Sequence, residues 1–391
     1  MIQKILPISD LLVQGGRPAR VDGRHVNLPI EMGSTIVFDS LEAFEAARNA
    51  RYDNGKLYYG RYGNEATFQL ERMLARLECA HGVTLTSSGV AAISQTLLAF
   101  AKPETHLLVA DHVYGNTRAF CDKILNSMNV AVEYFDPMLG AGVDSLFRDN
   151  TCALMFEAPG SGTFEVPDIP SIAQAARARG VPSIIDGTWA TPVFCKPLTL
   201  GVDVVVASGS KYLSGHSDCM IGMVASNPPF HDKVRRTVMA IGDKTGAQEV
   251  HLVLRGLRTL KLRMDAVDAA GRDVAGWLAD QPQVKRLLHP AFDSCPGHTF
   301  WARDFSGAAG LFGVVFHPCS DARMRAFVEK LHHFGIGVSW GGYESLVLPV
   351  RPVRSAGTWT EDGQLVRFNI GLEDTQSLKE DLASALPLLS V

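Results

Sequence analysis

Lys211 stands in a segment whose residue types suit covalent chemistry at a primary amine. The segment, residues 207–218, reads Ala-Ser-Gly-Ser-Lys-Tyr-Leu-Ser-Gly-His-Ser-Asp and directly follows the apolar run 202–206. A lysine that follows a strand and has small residues before it has room to form a Schiff base with an aromatic aldehyde. The hydroxyls of Ser208 and Ser210 could donate hydrogen bonds to a phosphate. A lysine in a polar surface loop would share this pattern, so the segment alone leaves both interpretations open.

A second segment places an acidic residue, Asp186, at the end of the apolar run 183–185. An unpaired carboxylate at the end of a buried strand is costly, so a cationic group should lie beside it. In an enzyme that uses pyridoxal 5'-phosphate (PLP), this cation is the protonated pyridine nitrogen. The alternative role is the cap of a following helix. Because Asp186 precedes Lys211 by one strand–connection–strand unit, the two segments together favour the cofactor.

Candidate phosphate donors lie earlier in the chain, where the segment 85–93 passes from an apolar run through small residues into an alanine-rich helix. The first turn of a helix offers free backbone N–H groups and the positive end of its dipole. Ser88, Gly89 and Val90 would supply these donors. Any strand–helix turn favours serine and glycine, so this motif is weak by itself.

Aromatic residues and an arginine form two further candidate contacts with such a cofactor. Tyr114 follows a predicted strand and could stack on a flat ring; packing at a domain edge is the alternative. Tyr59 and Arg61, two residues apart in the segment Tyr-Tyr-Gly-Arg-Tyr-Gly-Asn, suit a phosphate dianion. The same aromatic cluster, which begins with Tyr58, is also typical of an interface.

Arg367 lies inside an apolar strand pattern and therefore needs a carboxylate partner. The α-carboxylate of an amino-acid substrate would fit through a bidentate pair. A salt bridge to Glu344 or Glu373 is the alternative. Ser339 and Trp340 belong to the neighbouring segment 334–346.

The elements that must position these residues alternate between strands and helices. Apolar runs predict strands over 83–86, 107–110, 130–135, 153–157, 183–185, 202–207 and 222–225. The spacing of apolar residues predicts helices over 41–51, 67–77, 91–100, 118–128, 169–179, 321–332 and 377–386. Such alternation predicts an α/β fold with a large, mostly parallel sheet covered on both faces.

Two domains and an arm are predicted from the length of 391 residues and from these patterns. Residues 1–60 read as an extended arm with one helix. A long helical stretch over 245–281, with Gly256 and Gly271 as candidate breaks, predicts a connection between domains. Strand patterns at 310–316, Val338 and 366–370 predict a smaller C-terminal α/β domain.

The composition excludes several classes of partner. The formal charge is −4, and Lys and Arg are scattered, so neither nucleic acid nor an anionic membrane surface is expected. The first twenty residues are too broken for a signal peptide or an anchor. The seven cysteines are far apart, which predicts reduced thiols in a cytoplasm. The twelve histidines show no ligand spacing, so no metal is expected.

Taken together, these segments resemble the Cys/Met-metabolism PLP-dependent enzymes over nearly the whole chain. Ser-x-Ser-Lys-Tyr-Leu-x-Gly-His-Ser-Asp at 208–218 carries most of the likeness. Ser-Trp-Gly-Gly-Tyr-Glu-Ser-Leu at 339–346 and Arg-Phe-Asn-Ile-Gly-Leu-Glu-Asp at 367–374 are similar to the bacterial cystathionine β-lyases. Relatives specific for γ chemistry usually carry Leu at the position of Trp340.

The resemblance implies the aminotransferase-like fold type I, with a seven-stranded sheet in the cofactor domain. It divides the chain into an arm at 1–60 contacting a neighbouring subunit, a PLP domain at 61–257 and a C-terminal domain at 258–391. It implies a homotetramer built from two catalytic dimers, in which Tyr59 and Arg61 reach the neighbour's cofactor phosphate. Gly89, Val90, Ser208 and Ser210 would bind that phosphate within the subunit.

The activity implied is α,β-elimination of cystathionine or a related cysteine thioether, giving a thiol such as homocysteine, pyruvate and ammonia. This reaction belongs to transsulfuration and methionine biosynthesis. Lys211, Tyr114 and Asp186 would act in catalysis, and Arg367, Ser339, Trp340 and Tyr58 would contact the substrate. The alternatives are γ-elimination, γ-replacement on an activated homoserine, and a relative without catalytic activity that serves as a binding protein.

Overall fold

The computed structural model describes residues 7–17, 23, 25–357 and 359–390. The predicted arm therefore lies partly outside the described residues, at 1–6, 18–22 and 24.

A seven-stranded sheet forms the centre of the larger domain. Its strands are β1 Gly82–Thr86, β2 His106–Ala110, β3 Ala131–Phe135, β4 Thr151–Glu157, β5 Ser183–Asp186, β6 Val204–Ser208 and β7 Gly222–Ser226. They lie in the order β1-β7-β6-β5-β4-β2-β3. The neighbours from β6 to β3 are parallel, and β7 is antiparallel to β6 and β1. The central strands are buried along almost their whole length, as expected for a parallel sheet covered by helices.

A five-stranded sheet forms the smaller domain. Its strands are β8 Val284–Leu288, β9 Leu311–Phe316, β10 Gly335–Ile336, β11 Leu346–Val350 and β12 Gln364–Asn369. They lie in the order β10-β11-β12-β9-β8, and only β10 and β11 pair in parallel. Phe312, Phe316, Phe327 and Phe368 are fully buried in this domain's core.

Helices cover both sheets and connect them. Their bounds are α1 Ile8–Gln14, α2 Leu41–Asn49, α3 Glu65–Glu78, α4 Gly89–Phe100, α5 Gly115–Phe120, α6 Ile169–Ala178, α7 Thr191–Phe194, α8 Pro228–Ile241, α9 Ala247–Leu257, α10 Leu260–Ala279, α11 His298–Asp304, α12 Asp321–Lys330 and α13 Thr375–Ala385. Side chains at several N-caps fix where these helices begin, because each accepts a backbone N–H that the helix cannot satisfy. Asn64 accepts from Thr67 at 2.9 Å, and Ser88 accepts from Ala91 at 3.1 Å.

The strand predictions for the larger domain are confirmed within two residues at each end. The predicted fold class, a type I fold with a large mostly parallel sheet and a smaller α/β domain, is confirmed. The stretch 245–281 forms α9 and α10, but its break falls at Arg258 and Thr259. Gly271 stays inside α10, where it lies against the Gly310 backbone.

Other details differ from the sequence predictions. Val338 is not in a strand, because the chain turns between β10 and β11 and leaves this side chain 81% exposed. The arm contains α1 as well as the predicted helix, since Leu11 and Leu12 bury one face of that short segment. The predicted helix 118–128 continues from α5 only as a π-helical turn at Cys121–Leu125 and a 3-10 turn. Apolar spacing did not reveal α8, β8 or β11.

Candidate active site

The candidate site lies where the carboxyl ends of β4, β5 and β6 face the smaller domain. Strand order places these three ends side by side, which is the usual position of ligands in open α/β sheets. A cavity of about 330 Å³ opens here between the domains. Its lining includes Tyr114 and Trp189 from the larger domain and Trp340 and Arg367 from the smaller one.

Lys211 lies three residues after β6, and its side chain points to the smaller domain. Its Nζ donates a hydrogen bond to the Ser339 hydroxyl and lies 5.5 Å from the centre of the Trp340 ring. Burial, together with the Arg367 charge, lowers the pKa of the Lys211 amine to about 8, against the opposing effect of the Asp186 charge. The amine is therefore easier to deprotonate than an ordinary lysine, as a nucleophile or base requires.

Asp186 ends β5 and is 8% exposed. Its Oδ1 accepts hydrogen bonds from the Thr188 amide, at 3.0 Å, and from the Thr188 hydroxyl. Among the described residues no protein group donates to its Oδ2. Burial raises the pKa of Asp186, against the hydrogen bonds of Thr188 and the charge of Lys211. One carboxylate oxygen is thus fixed and the other remains for a cationic partner.

Glu157, which the sequence analysis did not select, ends the neighbouring strand β4 and pairs in register with Asp186. Its two oxygens accept hydrogen bonds from the Tyr114 amide and the Ser161 hydroxyl, both at 2.7 Å. Burial and the Asp186 charge raise the pKa of Glu157 well above its usual range. Its position at the end of the predicted strand 153–157, matching that of Asp186 in its own strand, was a signal that could have identified it.

Two of the predicted phosphate-binding segments, those of Gly89 and Ser208, meet at the start of α4. The Gly89 Cα lies so close to Ser208 that an added Cβ would stand 2.6 Å from the Ser208 Cβ. Gly89 and Val90 are the first residues of α4, so their amides lack intrahelical acceptors. The Ser210 hydroxyl accepts from the Ile221 amide at 2.9 Å and so braces the loop between β6 and β7.

Arg367, in β12, has no salt bridge among the described residues. Its guanidinium donates to the backbone carbonyls of Gly337, at 3.2 Å, and Ser339, at 3.0 Å. Both acids that could have paired with it are occupied elsewhere: Glu344 accepts from the Ser217 hydroxyl, and Glu373 accepts from Ser345. Burial lowers the pKa of Arg367.

Ser339 joins the two ends of this arrangement, since its hydroxyl binds Lys211 and its carbonyl binds Arg367. It has a backbone φ of +86°, a strained conformation for a residue with a Cβ. Such strain is typical of residues held in place for function.

Trp189 connects the two domains behind the site. Its indole N–H donates to the Leu311 carbonyl at 2.9 Å, and its ring packs edge-on against Phe305. Leu311 begins β9, which pairs directly with β12. The loop that follows Asp186 is thereby tied to the sheet that carries Arg367.

Three predicted contacts lie apart from this cluster within the subunit. Tyr58 packs against Phe44 and Tyr62, with ring centres 5.7 and 5.6 Å apart. Arg61 donates to the Met239 carbonyl and to the Tyr62 hydroxyl, and Tyr59 is 42% exposed. The structure thus gathers Lys211, Ser339, Trp340, Arg367, Tyr114 and Asp186 around the domain boundary and leaves these three on the arm side.

Comparison with known proteins identifies the class to which this fold and site belong. Residues 9–387 match the model of the Cys/Met metabolism PLP-dependent enzyme family. The chain belongs to this family.

Named relatives are similar to this chain over nearly its whole length. The chain is 40% identical over 365 residues to a putative cystathionine β-lyase of Rhizobium johnstonii, covering 91% of this chain and 90% of that protein. It is 38% identical to cystathionine β-lyase MetC of Escherichia coli, covering 95% and 96%. Among solved structures, metB of Corynebacterium glutamicum superposes with a TM-score of 0.89 at 27% identity, covering 98% and 99%.

These findings confirm the predicted family, the PLP cofactor and the class of PLP-dependent carbon–sulfur lyase. The residues present also fit the cofactor. A lysine with an easily lost proton, a buried carboxylate with one oxygen free of protein donors, and the unpaired amides of Gly89 and Val90 lie at one edge of the sheet. These groups match an aldehyde, a pyridinium and a phosphate respectively. In the part of the chain that the structure describes, no helix is long and apolar enough to cross a membrane.

Proposed function

We propose that this chain cleaves the Cβ–S bond of cystathionine by α,β-elimination, releasing homocysteine, pyruvate and ammonia. The observation that carries the proposal is the Arg367 guanidinium, which is half-buried beside Lys211 and has no carboxylate partner among the described residues. An α-carboxylate at this position would satisfy the arginine and bring the substrate Cα to the lysine. The relatives named cystathionine β-lyase support the choice of cystathionine as the thioether substrate and of Cβ–S as the bond that is cleaved.

Each polar group of the site has a defined role in this reaction. Arg367 and Ser339 bind the substrate α-carboxylate, and Tyr114 accepts the proton of the incoming ammonium group. PLP, when bound, withdraws the electron pair released at Cα. The Lys211 amine removes the Cα proton and returns a proton to the departing thiolate sulfur. A pKa near the working pH suits both transfers.

The remaining groups hold the cofactor and shape the pocket. The free Asp186 oxygen would accept the pyridine N–H and so keep the ring nitrogen protonated. Ser88, Gly89, Val90, Ser208 and Ser210 would hold the phosphate. Trp340 and Tyr58 would shape the pocket for the half of the substrate beyond the sulfur. Water then hydrolyses the three-carbon fragment to pyruvate and ammonia.

Product analysis tests this function directly. The purified holoenzyme, given cystathionine, is expected to form pyruvate and homocysteine in equal amounts, measured by a dehydrogenase assay and by thiol titration. If 2-oxobutyrate and cysteine are the main products, the chain is a γ-lyase and the proposal is wrong. The γ alternatives are not favoured, although a cystathionine γ-lyase of Bacillus subtilis is 32% identical to the chain.

We also propose a cytoplasmic homotetramer built from catalytic dimers, in which Tyr59 and Arg61 complete the phosphate site of a neighbouring subunit. Exposed apolar side chains on the arm support an interface there: Met32, Val37 and Leu41 are 83%, 88% and 80% exposed. All seven cysteines are free thiols, which suits a reducing compartment.

Mixing two inactive variants tests the shared site. In a dimer formed from one Lys211→Ala and one Arg61→Ala subunit, one of the two sites would regain both residues. Partial recovery of activity after co-refolding is expected. If no recovery occurs although mixed dimers form, Arg61 acts within its own subunit.

A further inference from the structure

A strap, defined as residues 351–357, leaves the end of β11 in the smaller domain and crosses to the larger one. Leu348 pairs with Arg367 in register, so the strap begins three residues beyond the partner of that arginine. Residues 350–354 line the same cavity as Tyr114, Trp340 and Arg367. The strap therefore forms one wall of the proposed substrate pocket.

Asp111 holds the strap against the larger domain. Its Oδ2 accepts the backbone N–H groups of Ser355, Ala356 and Gly357, each at 2.9 Å, and its Oδ1 accepts the Ser355 hydroxyl at 2.9 Å. Arg118 forms an ion pair with the same carboxylate and donates to the Ser355 hydroxyl at 3.2 Å. The Asp111 side chain has no exposed surface. Three consecutive amides directed at one buried carboxylate fix the path of the strap.

Arg354 forms the second tie of the strap to the larger domain, through Glu165 and Thr163. The side chains of Arg354 and Glu165 are each only 10% exposed. Nevertheless Arg354 Nη1 and Glu165 Oε2 are buried without a hydrogen-bond partner among the described residues. The ion pair thus leaves one donor of Arg354 and one acceptor of Glu165 unused, and Arg354 lines the cavity. Buried polar groups of this kind are costly unless a ligand satisfies them.

We propose that Asp111 is a positioning residue for substrate selectivity: it fixes the strap so that Arg354 contacts the part of the substrate beyond the sulfur atom. The inference rests on the proposed function and adds to it a wall that distinguishes long thioethers from short ones. Asp111 also lines the cavity. Its carboxylate oxygens are, however, bound by the strap amides, the Ser355 hydroxyl and Arg118, so we assign its effect to the strap. Its removal weakens the binding of substrates that reach the strap and leaves the chemistry at Cα and Cβ unchanged.

The test compares two substrates with the same reacting end. Cystathionine reaches beyond the sulfur with a second amino-acid group, whereas S-methylcysteine ends at a methyl group. In Asp111→Asn, the amide N–H₂ would face the three backbone N–H donors of the strap, which should release it. We expect KM for cystathionine to rise roughly tenfold or more, the equivalent of one charged hydrogen bond, with kcat nearly unchanged. For S-methylcysteine, kcat/KM should stay within about twofold of the parent enzyme, since this substrate makes no contact that the substitution removes.

Two further variants keep the test decisive. Arg354→Gln should reproduce the selective loss, and it decides the matter if Asp111→Asn does not fold. The control Asp144→Asn removes a carboxylate of the same type from an exposed pair with Arg179. It should leave kcat and KM unchanged for both substrates. Equal losses on both substrates, or no loss on either, would overturn the proposal.

Failure of the proposed function gives a different result. In that case the parent enzyme forms pyruvate from neither substrate. Asp111 is then judged by hydrogen exchange over residues 351–357 in the holoenzyme, which should be faster in Asp111→Asn than in Asp144→Asn. An unchanged exchange rate refutes the role of Asp111 independently of the reaction.

Discussion

Arg367 is the residue whose replacement most directly tests how the substrate is recognised. In Arg367→Leu the charge is lost and the apolar stem is kept. Truncating one partner of a buried, hydrogen-bonded charge pair costs about 2 to 5 kcal/mol. At about 1.4 kcal/mol for each factor of ten, kcat/KM for cystathionine should fall roughly 30-fold to several thousand-fold. Most of the loss should appear in KM, because the proposed ligand of this arginine, the α-carboxylate, does not react.

The folded state should tolerate this substitution. Arg367 makes two hydrogen bonds to backbone carbonyls, each worth about 0.5 to 1.5 kcal/mol. Removal of an unpaired, half-buried charge offsets part of that loss. The urea midpoint should therefore change little, and a kinetic defect can be assigned to binding.

The assay is steady-state pyruvate formation, together with inhibition by a thioether amino acid and by its decarboxylated amine. The parent enzyme should prefer the acid, and Arg367→Leu should lose that preference. The control Arg286→Leu removes an arginine of the same domain that is paired with Glu361. It should leave both inhibition constants, for the acid and for the amine, unchanged. An unchanged KM in Arg367→Leu would show that the α-carboxylate is held elsewhere and would refute the reasoning.

Three other perturbations have defined outcomes. Lys211→Ala should abolish turnover and the visible absorbance of bound PLP; near-normal elimination by this variant would remove the central assignment. The apoprotein should combine with PLP faster as the pH rises through about 8. Only the uncharged Lys211 amine attacks an aldehyde, and the pKa of this amine is lowered to about 8. Stopped-flow absorbance measures the rate, and a rate that does not change from pH 7 to 9 would contradict the argument. Glu71→Gln should lower the free energy of unfolding by about 3 to 5 kcal/mol, because the buried Arg235 loses the carboxylate that lies 2.9 Å from its Nη1. Urea unfolding measures this change. A loss below about 1 kcal/mol would show that the ion pair does not stabilise the fold as argued.

The sequence predicted the strands best where local pattern and tertiary burial agree. The runs that became β1 to β7 are continuously apolar and end in small or acidic residues, so their lengths and the positions of Asp186 and Lys211 could both be predicted. Strand β11 contains Pro349 and is only partly buried, and β8 carries Lys285 and Arg286, so neither shows a clear pattern. Helix α1 depends on burial of Leu11 and Leu12 by distant helices, which local spacing does not reveal.

For the site, the sequence identified candidate residues by their type, but it did not reveal which groups surround them. Arg367 was predicted to need a carboxylate, but only the coordinates show that Glu344 and Glu373 bind other groups. Asp111 was missed because most of its partners belong to a segment far away in the sequence, whereas Glu157 was missed although its place at a strand end matched that of Asp186. Contacts between segments that lie far apart in sequence, such as that of Asp111 with Ser355, follow from the fold and from nothing local.

The indole of Trp189 has a consequence for the selection of α-amino acids. Under the proposed function, an amino acid bound to Arg367 and joined to a cofactor held by Asp186 would span two different sheets. The hydrogen bond from Trp189 to Leu311 fixes the distance between them, since one partner follows Asp186 and the other begins the strand beside that of Arg367. Separation of the sheets would break this bond and misalign both ends of the ligand together. Under the proposed function, this one hydrogen bond would set the length of amino acid that fits between the two sheets.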